Sequence, residues 1–312
     1  VDIEDAGRLP DGRTVRRVRL HSGGARLDVL DLGAAVDAWV PAGAVRSVAV
    51  GLDGDVAERW RHRRVYAGVV GGRYLSRIRD GRFALDGVEH RLAANDGPHT
   101  LHGGPDGFDV RTWQVDDAAD DHATLSLVSP DGDQGFPGTL RASVTYRLEP
   151  DAVTVELRAE TDAPTVVGLG SHPYFDVGDD AVLTVPAQRW IRPDEDSVAL
   201  PGSEPVDGSP VDARDGLPVP PGAGLDLAYL VDGAGLRRMA SLRGSAGAVE
   251  VDGDQQALQV FTDGALGGVA LEVQREPDGP NRPGAAAVLR PGEVYSSRVV
   301  WRWSSTPPVA AR

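Results

Sequence analysis

Three residues in unusual local settings stand far apart in this chain: His102 in Thr100-Leu101-His102-Gly103-Gly104, His172 in Ser171-His172-Pro173-Tyr174-Phe175, and Glu272 in Leu271-Glu272-Val273-Gln274. Two imidazoles and a carboxylate brought together by a fold can move protons at neutral pH without a cofactor. A Glu in a partly dry cleft is pushed upward, and a His near carboxylates has its own value held up. Both groups are therefore expected to approach the operating pH. Acid/base chemistry is the leading reading.

The elements that must position these residues read as strands. Val144 to Leu148 and Val153 to Arg158 are two alternating runs around a Pro-Asp turn, the pattern of a hairpin with one buried face. Similar runs recur at Ala25 to Leu32, His122 to Val128, Pro164 to Leu169, Ala257 to Thr262, Val269 to Gln274 and Val294 to Trp303. Gly and Pro, at 39 and 23 residues, punctuate the sequence between them, and long stretches of helical period are missing. An all-β sandwich follows. The Pro/Gly/Asp-rich stretch from Leu200 to Gly224 reads as a surface excursion of a single domain spanning 1–312, because strand-like sequence of the same style continues on both sides.

Composition removes many competing chemistries. The chain has no Cys, and all 32 of its basic residues are Arg. Schiff-base and pyridoxal-phosphate enzymes need an amine nucleophile and a Walker-type loop needs its Lys, so neither can operate here. Without thiols there is no disulfide framework, thiolate zinc site or Cys nucleophile. A net charge of −15 with no basic stripe argues against nucleic acid. No apolar run is long enough to span a bilayer as a helix. Val1 to Ala6 has neither a basic nor an apolar segment of signal-peptide type, so a cytoplasmic setting is expected.

Several local patterns carry weaker suggestions. His99 and His102 lie three residues apart, yet no third ligand with convincing spacing accompanies them, so no metal is expected. Asp131-Gly132-Asp133 has acids at calcium-loop spacing without the later bidentate Glu. In Gly168-Leu169-Gly170-Ser171-His172 the Ser is out of place for a nucleophile elbow. His21, His62, His90 and His122 sit in no recognisable context and are read as ordinary surface or core residues.

Taken in order, Gly71-Gly72-Arg73-Tyr74-Leu75-Ser76-Arg77-Ile78, Asn95-Asp96-Gly97, Leu101-His102-Gly103-Gly104, Gly107-Phe108 with Trp113, Ser129 to Gly138, His172-Pro173-Tyr174-Phe175, Leu271-Glu272-Val273-Gln274 and Leu289-Arg290-Pro291-Gly292-Glu293 resemble the aldose 1-epimerase (galactose mutarotase) family over most of the chain. The resemblance implies a β-supersandwich with a sugar-binding cleft on one sheet face. It also implies interconversion of the α and β anomers of a free aldose such as galactose or glucose, with no cofactor, by a monomer or homodimer. By motif position Glu272 is implied as the base, His172 as the acid, and His102 as a group beside the ring oxygen. Arg73 and Asp226 match the positions that hold sugar hydroxyls. The sequence departs from the family pattern at Ser171, at Pro98-His99-Thr100 and at Gln259 to Gly264. A hexose-6-phosphate epimerase and a non-catalytic carbohydrate-binding module on the same scaffold are the alternatives. A glycosidase lacks a recognisable second catalytic acid.

Overall fold

The computed structural model describes residues 1–52, 56–263 and 266–305. Gly264, at the end of one departing stretch, lies outside them. Alternation of small or apolar with polar residues produces strands with one buried face, as in Leu140–Leu148, where Leu140, Ala142, Val144, Tyr146 and Leu148 are buried and the residues between them are not. This strand pairs with Ala152–Thr161 in the expected hairpin, Leu148 facing Val153.

These strands belong to a nine-stranded antiparallel sheet. Its order is Gln114–Ala119, His122–Ser129, Leu140–Leu148, Ala152–Thr161, Tyr295–Ser304, Gly247–Gly253, Arg237–Gly244, Val182–Thr184 and Leu217–Pro218. The last strand of the chain thus sits in the middle of the sheet, which ties the two halves of the sequence together. A six-stranded sheet runs Tyr174–Phe175, Gly268–Gln274, Ala257–Asp263, Asp226–Leu230, Arg189–Ile191 and Glu204–Pro205. A four-stranded meander, Asp2–Arg8 to Val36–Val40, forms the N-terminal part. The Leu200 to Gly224 stretch supplies short edge strands to both large sheets, pairing Glu204 with Trp190 and Leu217 with Leu183. The run from Pro164 to Leu169 forms a strand only at Thr165–Val166, because the chain then leaves to meet Tyr74 and the Val70–Gly71 strand.

One apolar core lies between the sheets. Leu227, Tyr229, Leu258, Val260, Leu271 and Val273 point into it from the six-stranded sheet, and Trp301 and Trp303 from the nine-stranded one. The period-two rule then sends Asp226, Gln259, Phe261 and Glu272 to the opposite face of the smaller sheet. That face floors the cleft.

Candidate active site

Glu272 reaches the cleft because its neighbours Leu271 and Val273 are committed to the core. Directly across the ladder from it stands Gln259, and Asp226 faces Phe261 one strand further on. His172 is placed by main-chain clamps: its amide donates to the Val69 carbonyl, and its carbonyl accepts from the Gly68 amide. Phe175, in the same short segment, is driven into the core, with ring centroids 5.5 Å from Trp301 and 6.5 Å from Trp39. His172 and Tyr174 are left on the cleft side.

His102 arrives from a turn that few residues can make. It has φ 52°, and Gly103 behind it has φ 97°. A Cβ on Gly103 would lie 1.8 Å from the Gly72 carbonyl oxygen, so the Gly is sterically required. The strained His102 backbone is held by Ser76, whose carbonyl accepts from the His102 amide and whose own amide donates to His102 Nδ1 at 3.1 Å. An Nδ1 that accepts leaves the ring proton on Nε2. His102 therefore presents an N–H donor through its other nitrogen.

These residues line one cleft of about 140 Å³, together with Arg64, Tyr66, Ser76, Arg77, Tyr174, Asp226, Gln259 and Phe261. His172 Nε2 lies 3.3 Å from Glu272 Oε1, with both side chains almost wholly buried. Glu272 Oε2 and His172 Nδ1 are buried without a hydrogen-bond partner. Burial pushes the Glu272 carboxyl well above its usual range; Asp226 adds to this and Arg77 opposes it. Burial pushes His172 down to about 4 against the weak pull of its own carbonyl, and holds His102 well below its usual value, assisted by His172 and Arg77. The expectation that nearby carboxylates hold the histidines up is therefore corrected. Desolvation outweighs attraction here because burial penalises the charged form of both partners.

Arg73 requires a second correction. It is 1% exposed and faces away from the cleft, its guanidinium donating to Ser129 Oγ and to the carbonyls of Ser129, Pro130 and Pro137 at 2.8–2.9 Å. The Arg of this segment that meets the cleft is Arg77, four residues later. It donates to Asp96 Oδ2 at 2.6 Å and to Asp226 Oδ2 at 3.3 Å. Gln259 Nε2 completes the grip on Asp226 at 2.6 Å from Oδ1. Arg77 and Gln259 were missed by sequence reasoning. The fold brings Arg77 there because a short strand around it pairs with the one ending at Leu101, Arg77 facing Leu101, which sets it beside His102. His99 accepts from the Asp80 amide through Nδ1, a hydrogen bond separate from those of His102. Among the described residues no three metal-ligating side chains converge.

The cleft over the smaller sheet thus gathers a buried carboxyl–imidazole pair, an imidazole N–H donor and an Arg–Asp–Gln rim, donors and acceptors fixed around one space. The galactose 1-epimerase from Lactobacillus acidophilus NCFM superposes with TM-score 0.85 at 24% identity, covering 98% of each chain. The aldose epimerase homologue from C. elegans gives TM-score 0.84 at 21% identity over 93% of this chain and 99% of that one. These matches establish the fold as the galactose mutarotase type. The aldose 1-epimerase family model matches residues 16–302. The Bos taurus galactose mutarotase is 33% identical over 96% of this chain and 97% of its own, and the Escherichia coli (strain K12) aldose 1-epimerase is 32% identical over 92% and 95%. The chain belongs to the aldose 1-epimerase family and is an enzyme of the isomerase class.

Proposed function

We propose that the cleft interconverts the anomers of a free aldose by ring opening and closure, with Glu272 and His172 exchanging protons with the sugar and no cofactor taking part. The observation that carries this is the buried contact at 3.3 Å between the Glu272 carboxyl and the His172 imidazole, each with a further polar atom left without a hydrogen-bond partner among the described residues.

In the cyclic sugar, a charged Glu272 takes the proton of the anomeric hydroxyl while an imidazolium at His172 protonates the ring oxygen as the C1–O5 bond breaks. The products are an open-chain aldehyde with a C5 hydroxyl, a protonated Glu272 and a neutral His172. After rotation about C1–C2 the steps reverse on the other carbonyl face: the C5 oxygen attacks C1, His172 takes its proton, and Glu272 returns a proton to the former carbonyl oxygen. The two arrangements of the pair differ by the placement of one proton. The empty, dry cleft favours the neutral arrangement, which is the partner of the open-chain sugar, and incoming hydroxyls stabilise the charged one. His102 Nε2–H donates beside the ring oxygen. Arg77, Asp226 and Gln259 hold hydroxyls as donors and acceptors fixed in advance. A single folded domain acting as a monomer or homodimer in the cytoplasm completes the proposal.

The test is anomerisation followed by polarimetry or exchange NMR across glucose, galactose, xylose, arabinose and fucose, with a metal chelator present and at two salt concentrations. Acceleration of at least one free sugar, insensitive to the chelator, is expected. Because Asp96 and Asp226 already compensate Arg77, glucose 6-phosphate is expected to be the poorer substrate with little salt dependence. Acceleration of none would leave a binding module, and a large salt-sensitive preference for the phosphate would move the assignment to hexose 6-phosphates.

A further inference from the structure

His172 must be a cation at the start of ring opening, when it protonates the ring oxygen, yet its surroundings lack the support usual for a catalytic imidazolium. In hydrolase triads a carboxylate accepts from the second ring nitrogen and stabilises the charge. Here Nδ1 is buried with no hydrogen-bond partner among the described residues beyond the weak pull of its own carbonyl. What flanks the ring instead is aromatic. Tyr174 lies near-parallel to it, centroids 5.1 Å apart at 26°, and Tyr66 lies at 6.1 Å and 29°.

Both tyrosines are themselves fixed. Tyr174 donates its hydroxyl to the Val65 carbonyl at 3.0 Å and is 1% exposed. Tyr66 has φ 54°, accepts from Arg64 Nη1 at 3.2 Å, and lies edge-on to His102 at 4.4 Å. An aromatic face attracts a cation within about 6 Å of its centroid, more strongly when water is excluded. Tyr174 meets that distance and Tyr66 sits at its limit.

We propose that Tyr174, seconded by Tyr66, is a positioning residue that holds the His172 ring and stabilises its imidazolium through the aromatic face, replacing the missing Nδ1 acceptor. This rests on the anomerisation reading above. The other groups facing His172 are Glu272 from the adjoining strand and His102 from its turn, at 5.4 Å between ring centroids. Behind them, Arg77 and Asp226 act on Glu272, and Arg64 acts on Tyr66.

In the empty cleft the pair rests in its neutral arrangement, so the acid limb of the kcat/KM profile, which reports the free enzyme, marks addition of a proton to His172. Removing the aromatic face makes the imidazolium harder to form. In Y174L, kcat should fall about tenfold, KM should stay within about twofold, and the acid limb should move to lower pH. Y174F keeps the face and should restore both kcat and the limb. Y66L should move both in the same direction by less, and it carries the test if Y174L does not fold. An unmoved limb, a limb displaced to higher pH, or a Y174F variant as impaired as Y174L would overturn the proposal. If E272Q and H172N lose anomerisation while the tyrosine variants leave the limb in place, this inference fails and the acid/base reading survives.

Discussion

Arg73 and Arg77 belong to one eight-residue segment and have opposite fates. Arg73 is sealed among main-chain carbonyls and the Ser129 hydroxyl, and burial, only partly offset by Asp133, lowers its proton affinity to about 10. It closes the Ser129 to Gly138 loop by satisfying carbonyls that would otherwise be buried without donors. Arg77 lies in the cleft and is balanced by two carboxylates. The first neighbourhood spends its hydrogen bonds on holding the protein together. The second arranges them around a cleft, and at its floor Glu272 and His172 keep atoms with no hydrogen-bond partner among the described residues. Buried polar atoms without partners occur elsewhere too, but here they border a cleft that a polar substrate can fill.

The sharpest way to break the contrast is at the unsatisfied pair. Glu272→Gln keeps the shape of the side chain and removes the proton-transfer group, so kcat should fall by about 10³, with folding intact and sugar binding retained by isothermal titration. Turnover near that of the unaltered protein would remove Glu272 from the mechanism.

The two arginines should then separate by readout. Arg73→Met leaves several buried acceptors unpaired and is expected to cost about 3 kcal/mol of stability, measured by denaturant unfolding, with near-normal kcat per folded molecule. Arg77→Met should leave stability almost unchanged and raise KM about tenfold with a smaller loss of kcat. The reverse pattern would restore Arg73 to the site.

The smallest effect concerns pH. His172 takes up a proton near pH 6.5 when unfolded but only near 4 when folded. A depressed folded value contributes stability that is present above about pH 6.5 and lost as pH falls toward 4. His102, also held low, adds to the same slope. In His172→Asn the dependence of unfolding free energy on pH across this window should flatten by on the order of 1 kcal/mol per pH unit. An unchanged slope would mean that His172 is not desolvated in solution.

Strand periodicity made much of the fold legible. The alternation in Val144 to Leu148 and Val153 to Arg158 specified a hairpin whose partners are those observed, because one buried face fixes register locally. The absence of Lys and Cys excluded whole classes of chemistry before any geometry was known. Motif context singled out His102, His172 and Glu272, and the fold gathers them. Alternation alone could not choose between Arg73 and Arg77, since both lie in an irregular segment where period two does not say which side faces the cleft. It gave no sign of Gln259, whose place depends on pairing with Glu272.

The direction of the histidine shifts was equally out of reach. Residue types named the charges, but only the tertiary structure decided how much water each would keep, and in a buried cleft desolvation of the imidazole exceeds its attraction to a carboxyl that burial also disfavours in its charged form. Local sequence thus determined the strands, the candidate acid and base, and the excluded chemistries. Long-range packing decided which Arg meets the cleft, which carboxylate is paired, and where the shared proton resides, because each of these depends on neighbours that lie far apart along the chain.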